Sequence, residues 1–371
     1  MHICMVVFGD LRFDFRVFRE ATALRQAGHR VSLVASSFAP GPLPGWEAFP
    51  VRTIPVDRSR SLRRIYPRFW QRAWRILAEL RADAYHAHDL DALWPAAKAA
   101  RRWGVPLVYD SHELWTGQSS LVGRPLVRGV WAALERRLVR RVDRTIAVSP
   151  GVAHFLKDRY RLEHVLVVRN LPPYRPPVPG DRIRAELGLA TGRPVVLYQG
   201  GFLTENGLSE QIEAVAGLDG SAFVLIGSGP TEDALRNQVL RNGLRDKVYF
   251  LPRVPFAELH SYTCSADVGL CLIKGVGMSF YLSLPNKLFE YMMAGLPVLA
   301  SDFPEMRAVV DDTRAGQLVD PQDGPAVRER LHRLLTDREQ QQAFRRAALE
   351  AARRYCWERE APALVNLYAG L

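Results

Sequence analysis

The feature that most constrains the fold is a strand–turn–helix pattern that recurs in both halves of the chain. An apolar run over 3–8 is followed by a predicted helix from about Asp14 to Ala27 and by a second strand over 28–36. The pattern restarts at 194–201 and repeats at 222–230. Strands that alternate with helices build parallel sheets covered by helices on both faces. The sequence therefore predicts an α/β protein with two doubly wound, Rossmann-like domains.

The length and the prolines of the chain divide it into domains. A chain of 371 residues suits two domains of about 150 to 200 residues better than one core. Five prolines lie between Asn170 and Asp181, a composition typical of a stiff linker. We therefore predict, in chain order, an N-terminal domain, a linker, a C-terminal domain and a final helix, over residues 1–172, 173–182, 183–355 and 356–371. The cleft between the two domains is the expected binding site.

The charge of the chain points to acidic partners. The formal net charge is +11 and the pI is near 9.8, which favours phosphate-bearing ligands, anionic lipid or nucleic acid without choosing among them. Two segments, 58–75 and 124–144, carry seven arginines each. Trp70 and Trp74 of the first segment recur at helical spacing with Leu77 just beyond it, so this helix either lies on an anionic membrane surface or packs on the core. We find no aromatic-basic RNA module and expect no nucleic-acid partner.

Cysteine spacing and hydropathy bear on the compartment. Cys4, Cys264, Cys271 and Cys356 have no Cys-x-x-Cys spacing, so we expect neither a zinc site nor a disulfide framework. The first eight residues lack the basic region of a signal peptide, and no apolar run approaches about 18 residues. We expect a cytoplasmic protein, either free or peripheral on the inner face of the plasma membrane.

The clearest candidate site is the stretch from Ser283 to Asp302, which is predicted to form a loop, a short helix and a buried strand. Ser283 suits the N-cap, and Asn286 and Lys287 fall in the first turn, so free N–H groups and the positive end of the helix dipole would face a ligand. Lys287 and Glu290 lie three residues apart on one helix face. Lys287 can bind a phosphate, and Glu290 can accept hydrogen bonds from sugar hydroxyls. A solvated surface pair is the structural alternative.

Two glycine turns follow strands in the same half. Gly200-Gly201 and Gly227-Ser228-Gly229 each place backbone N–H groups at the carboxyl end of a strand, where they can donate hydrogen bonds to a phosphate or to the edge of a base. Together with the helix after Ser283, they favour a nucleotide site. The loop after the first strand is not a Gly-x-Gly-x-x-Gly sequence, so the chain lacks the main feature that would indicate a dehydrogenase.

Polar residues also cluster after two strands of the first half. Segments 84–91 and 106–115 place acidic and imidazole groups at strand ends, where open α/β sheets bind ligands. The groups expected to converge are Asp89, Asp110, His112 and Glu113. The chemistry of His86, His88, Asp89 and His112 would also admit a metal. Strand alternation sends some of these side chains into the core, and we assign no metal site.

The stretch 283–302 resembles the donor-nucleotide helix of GT-B glycosyltransferases, in particular glycosyltransferase family 4. Residues 14–31, the His-x-His sequence and the Asp-Ser-His-Glu sequence resemble a subset of the same family. The resemblance implies two domains that face a central cleft and a last helix that crosses back to the first domain. It also implies that Glu290 holds the nucleotide ribose and that His112 faces the donor sugar.

The sequence departs from the family pattern in two places. Gly201 and Asn206 occupy the positions of two cations that steady the leaving diphosphate, and Leu282 replaces the first glutamate of the Glu-x7-Glu pattern. Leaving-group charge must then be met by Lys287, by helix N-termini, by Arg16 or Arg253, or by a divalent ion. The alternative for Arg16 is that it lies in solvent in the first turn of its helix and contacts no diphosphate. The departures leave the stereochemical outcome open.

We therefore expect a glycosyltransferase that moves a sugar from a nucleotide diphosphate sugar to a hydroxyl acceptor in glycan or glycoconjugate biosynthesis. A UDP-sugar is favoured over a GDP-sugar, and the acceptor is either free or lipid-linked. His112 with Asp110 or Asp89 would position the sugar and, in an inverting enzyme, deprotonate the acceptor. The main chain near residues 227–229 and 250–253 would receive the base. The alternatives are a nucleotide-sugar epimerase or phosphorylase on the same fold, and a non-catalytic binder of acidic polymers.

Overall fold

A computed structural model describes residues 1–371 and divides them into two compact units. The first unit contains residues 1–169 and 360–371, and the second contains residues 170–359. Each unit has one parallel sheet with helices between its strands. The predicted pair of doubly wound α/β domains is therefore confirmed. No helix combines the length and apolarity needed to span a membrane.

The sheet of the first unit has seven parallel strands in the order β3-β2-β1-β4-β5-β6-β7. The strands are β1 (His2–Val7), β2 (Arg30–Ser37), β3 (Val51–Pro55), β4 (Ala84–His88), β5 (Leu107–Ser111), β6 (Arg144–Ala147) and β7 (Leu166–Val167). The helices are α1 (Phe15–Gln26), α2 (Leu62–Glu79), α3 (Leu90–Trp103), α4 (Pro125–Val139) and α5 (Pro150–Tyr160). Strands β1, β4 and β5 are buried along almost their whole length, as expected of parallel strands covered on both faces.

The sheet of the second unit has six parallel strands in the order β10-β9-β8-β11-β12-β13. The strands are β8 (Val195–Gly201), β9 (Ala222–Ser228), β10 (Val248–Leu251), β11 (Val268–Cys271), β12 (Val298–Ser301) and β13 (Gly316–Val319). The helices are α6 (Arg182–Leu187), α7 (Leu208–Ala216), α8 (Glu232–Arg241), α9 (Phe256–Thr263), α10 (Met278–Tyr281), α11 (Asn286–Met293), α12 (Pro304–Thr313), α13 (Gly324–Thr336) and α14 (Arg338–Arg354). The last helix of the chain is α15 (Trp357–Ala369), most of which belongs to the first unit.

The proline segment is attached to the second unit by hydrogen bonds. The backbone N–H of Tyr174 donates to Glu358 at 3.0 Å, and His260 Nε2 lies 2.8 Å from the carbonyl oxygen of Pro176. Its last predicted residue, Arg182, is already the first residue of α6. These contacts hold much of the segment against α9 and the start of α15.

The two tryptophans of helix α2 contact a neighbouring helix. Its core-facing residues are Ile65, Phe69, Ala73 and Leu77. Trp70 donates from Nε1 to the carbonyl oxygen of Asp91 at 2.6 Å, and its ring lies 5.8 Å from that of Trp94 in α3. The ammonium of Lys98, also in α3, lies 4.4 Å from the ring of Trp74. Both tryptophans therefore pack on the neighbouring helix, whereas association of α2 with a membrane stays a prediction.

Candidate active site

In the second unit, Lys287 lies against the turn at the end of β8. Its Nζ is 3.9 Å from the ring centroid of Tyr198, and a Cβ built on Gly200 would lie 3.4 Å from the same nitrogen. Gly200 has φ 137°, a backbone conformation that favours glycine. The first turn of α11 therefore brings a cation to a bare backbone turn at the carboxyl end of a parallel strand, where such sheets bind ligands.

One turn further along α11, Glu290 is oriented by a buried amide. Gln199 Nε2 donates to Glu290 Oε2 at 2.5 Å, and Thr263 Oγ1 donates to Gln199 Oε1 at 2.8 Å. Glu290 also lines a small pocket with Phe256 and His260. Gln199 and Thr263 are not among the residues predicted from the sequence. The signal was a glutamine at the end of the apolar run Val195–Tyr198.

The two predicted glycine turns lie side by side, but packing accounts for their glycines. Gly200 pairs with Gly227 across the β8–β9 ladder. A Cβ on Gly227 would lie 1.9 Å from the carbonyl oxygen of Gly200, and one on Gly229 would lie 2.4 Å from that of Phe202. Glycine is therefore required because two backbone segments approach closely. Binding of a base or phosphate by this turn stays a prediction.

Three further predicted residues of the second unit occupy different settings. The carbonyl oxygen of Gly201 accepts from Asn206 Nδ2 and from Tyr198 Oη, both at 2.8 Å, so Asn206 closes the turn where family members carry a cation. Arg253 is exposed beyond β10, an edge strand.

The predicted N-cap of α11 is wrong, because Ser283 Oγ donates to the carbonyl oxygen of Phe280 at 2.8 Å and Pro285 occupies the cap. The cap lies two residues later because Ser283, which follows α10, bonds back to that helix and not forward to α11.

In the first unit, Arg16 is an internal counter-ion. Its guanidinium donates to both carboxylate oxygens of Asp110 at 2.9 and 2.8 Å and to the carbonyl oxygen of Val168 at 2.9 Å. Glu20 adds a contact at 3.0 Å. Arg16 is only 4% exposed. The prediction that Arg16 lies beside a diphosphate is therefore wrong, because its donors are already engaged inside the domain.

His112 lies between two carboxylates just beyond β5. Its Nε2 is 3.0 Å from Asp110 Oδ2, its Nδ1 is 3.6 Å from Asp89 Oδ2, and its backbone N–H donates to Asp89 Oδ1 at 2.9 Å. Burial alone would lower the pKa of His112, but Asp89 and Asp110 raise it to about 10. The ring keeps 18% exposure, so it can reach a ligand. At neutral pH His112 is an imidazolium that donates hydrogen bonds, a state that does not suit a general base.

The two carboxylates beside His112 differ in charge and strain. Burial opposes ionisation of Asp110, but Arg16 and His112 hold its pKa well below the usual range. Burial raises the pKa of Asp89 to about 7, against the opposing charge of His112. Asp89 has φ 63° and ψ 170°, a region populated almost only by glycine, and such strain is typical of functional sites. Asp110 is fully buried, and its side chain contacts His112. The fourth predicted member, Glu113, is exposed.

Behind His112 lies a buried polar cluster, which we define as Glu20, His86, His88 and Asp110. One ligand atom from each lies within 4.8 Å of the others, so these are the residues that could hold a metal. His86 and His88 stack with ring centroids 4.2 Å apart, and both keep an Nε2 without a hydrogen-bond partner. The guanidinium of Arg16 already supplies a positive charge to both carboxylates.

Comparison with known proteins agrees with this architecture. Two family profiles match: Glycosyltransferase Family 4 over residues 16–171 and Glycosyl transferases group 1 over residues 180–351. The D-inositol 3-phosphate glycosyltransferase of Nocardia farcinica is 30% identical over 291 residues, which are 72% of this chain and 62% of that protein. The phosphatidyl-myo-inositol mannosyltransferase of Mycobacterium leprae is 28% identical over 95% of this chain and 91% of its own.

Among solved structures, Anabaena HepE in complex with UDP and glucose superimposes with a TM-score of 0.79 at 19% identity, and the whole of each chain is covered. This likeness concerns the fold. The chain spans less than two thirds of the length of the Nocardia relative. With a profile matched on each half of the sequence and two doubly wound sheets of the same kind, the chain belongs to the GT-B glycosyltransferases of family 4.

Proposed function

We propose that this protein transfers a sugar from a nucleotide diphosphate sugar to a hydroxyl acceptor. The observation that carries the proposal is the placement of Lys287 and Glu290 on successive turns of α11, beside the Gly200 turn and Gln199. An ammonium and a carboxylate about one helical turn apart match a phosphate and a pair of ribose hydroxyls. Bare amides at the turn and at the start of α11 add donors for the diphosphate.

The reaction breaks the bond between the anomeric carbon and the diphosphate oxygen and forms a bond from that carbon to the acceptor oxygen. The diphosphate leaves with the electron pair, and the proton of the acceptor hydroxyl passes to an oxygen of the leaving diphosphate or to water. Negative charge therefore grows on the leaving group, and preorganised donors lower the barrier by a few kcal/mol. Lys287 is the cation of this chain that we assign to that charge. A divalent ion would be a second contributor, and activity in the presence of EDTA tests it.

We assign His112 to the donor sugar. Its imidazolium donates a hydrogen bond to a sugar hydroxyl, while Asp110 and Asp89 hold the ring from both sides. Arg16 in turn fixes Asp110 through two hydrogen bonds. This arrangement supports a positioning and charge-stabilising role for His112, with Asp110 and Asp89 holding its ring.

We infer that the donor is a UDP-sugar and that the acceptor is a lipid-linked hydroxyl. HepE, which shares the fold, binds UDP and glucose. The Mycobacterium leprae relative is a phosphatidyl-myo-inositol mannosyltransferase, so its acceptor is a membrane lipid. Turnover that needs an acceptor would also separate this function from an epimerase.

The experiment is a thermal shift of the full chain with UDP, GDP, ADP, TDP and CDP. A ligand at 100 times its Kd should raise the free energy of unfolding by about 2.7 kcal/mol. We expect UDP to stabilise the wild type most, and Glu290→Ala to lose most of that gain. Glu339→Ala, an exposed glutamate in the first turn of α14, is the matched control and should keep it. Stabilisation by none of the five diphosphates, or an unchanged shift in Glu290→Ala, would contradict the proposal.

A further inference from the structure

The N-terminal half of α4 projects apolar side chains into solvent. Every residue from Val122 to Val130 is exposed, with Leu126 at 85% and Val130 at 70%. These are two of the most exposed large aliphatic side chains in the protein. Contiguous apolar exposure of this kind marks a surface that binds a partner or a membrane.

The helix has an inner and an outer face. Glu135, Leu138 and Val139 are buried, and the ring of Trp131 packs 5.2 Å from that of Trp115. On the other side, Leu126, Val130, Ala133 and Arg137 recur at steps of four, three and four residues, which places them along one stripe. The outer face is therefore apolar in its first two turns and cationic in its last two.

The charges on this helix all have one sign. Six exposed arginines lie between residues 122 and 142, namely Arg124, Arg128, Arg136, Arg137, Arg140 and Arg141. The single acidic residue of that stretch, Glu135, is turned inward, where it accepts hydrogen bonds from Tyr109 at 3.0 Å and Tyr160 at 2.5 Å. The surface consequently presents aliphatic side chains and positive charge without an exposed carboxylate.

We propose that this surface, defined as the exposed residues of 122–141 and called the α4 surface, docks on an anionic lipid bilayer. Aliphatic side chains enter the interface while the arginines pair with lipid headgroups, the combination by which amphipathic basic helices bind membranes. The tryptophans of α2, the other arginine-rich helix, are only partly exposed, because they pack against α3. The proposal deepens the proposed function, on which it rests for a lipid-linked acceptor, by naming where the enzyme meets the bilayer.

The test is co-sedimentation of the full chain with vesicles of phosphatidylcholine, with and without phosphatidylglycerol. We expect binding to the anionic vesicles that weakens as salt screens the charges. Arg136→Gln/Arg137→Gln should weaken partitioning on the order of twentyfold, about fivefold for each charge. Leu126→Ser/Val130→Ser should weaken it at least roughly tenfold, because two apolar side chains no longer insert.

Matched controls remove the same groups elsewhere. Arg63→Gln/Arg64→Gln takes two exposed charges from α2, and Leu62→Ser/Leu240→Ser takes two exposed leucines outside α4; both should bind nearly as the wild type does. Absence of wild-type binding to anionic vesicles, or equal losses in variants and controls, would overturn the proposal. The thermal unfolding midpoint without ligand checks the fold of each variant. Vesicle binding without any UDP shift would reject the donor proposal and leave this one standing.

Discussion

The hydroxyl of Tyr368 lies 2.8 Å from Nδ1 of His86, although 282 residues separate the two in sequence. Both side chains are buried, and burial lowers the pKa of His86 well below its ordinary value, so the ring is neutral. The opposite nitrogen, Nε2, faces Glu20 at 3.9 Å and Asp110 at 4.0 Å. The end of the chain therefore supports the cluster on which His112 rests.

The first prediction concerns this bond. Tyr368→Phe should lower the free energy of unfolding by about 1 to 3 kcal/mol, because a buried ring nitrogen loses its partner. Chemical denaturation of the full chain measures the change. Tyr355→Phe removes a hydroxyl that bonds Asp312 at 3.0 Å near the surface, and its effect should stay within about 0.5 kcal/mol. Equal losses in the two variants would contradict a special role for the buried bond.

The second prediction concerns the ion pair between Arg16 and Asp110. Asp110→Asn should destabilise the protein by about 3 to 5 kcal/mol, because it leaves the buried guanidinium with an incomplete set of counter-charges. Asp181→Asn is the control: its carboxylate also bonds an arginine, Arg184, at 2.7 Å, but it is exposed, and surface pairs contribute about 0 to 1 kcal/mol. Denaturation midpoints compare the two. A loss in Asp110→Asn no larger than in Asp181→Asn would show that the pair is not buried as described.

The architecture could be predicted because the local sequence determines it. Apolar runs ending in glycine or polar residues indicated both sheets, and helix spacing indicated that Lys287 and Glu290 share a face. The convergence of Asp89, Asp110 and His112 followed from their positions at strand ends. These inferences need only the periodicity of strands and helices.

Other features depend on residues that are distant in sequence. Nothing near Arg16 reveals that Asp110, 94 residues away, is its counter-ion. The tryptophans of α2 form a membrane-like pattern in the sequence. The sequence of α2 alone does not show that a second helix, α3, packs against them. The glycines at 227 and 229 suggested a ligand, whereas the close approach of two backbone segments requires them. Tertiary packing decides each of these cases.

The third prediction follows the charge of His112. Asp89→Asn should lower the pKa of His112 from about 10 towards the ordinary value near 6.5, because the carboxylate that raises it most is removed. Since the folded pKa exceeds the unfolded one, protonated His112 stabilises the fold fully below about pH 6.5, and this stabilisation is lost as pH rises through about 10. NMR titration of the ring measures the pKa. Glu113→Gln, which neutralises an exposed neighbour, should leave it nearly unchanged, and an equal drop there would contradict the assignment.

The fourth prediction separates strain from charge at Asp89. Asp89→Gly and Asp89→Asn both remove the carboxylate, but only glycine adopts φ 63° and ψ 170° without strain. The glycine variant should therefore be more stable than the asparagine variant by about 1 to 3 kcal/mol. Both should transfer sugar more slowly than the wild type, because His112 loses a partner. Equal stability of the two variants in denaturant would mean that the backbone at residue 89 relaxes and stores no strain.

The last prediction concerns Lys287 and the leaving diphosphate. Lys287→Met keeps the length of the side chain and removes its charge, so kcat/KM for transfer should fall by about 10² to 10³, while the thermal unfolding midpoint stays close to that of the wild type. Lys247→Met is the matched control. Lys247 lies just before β10, and its ammonium donates to the carbonyl oxygen of Ala216. This variant should keep full activity. Lys287→Arg restores a positive charge and should recover part of the loss, since charge matters more than shape for this role. If Lys287→Met retained wild-type kcat/KM, the charge on the leaving group would have to be met by another cation or a divalent ion, and the role assigned to the first turn of α11 would fail.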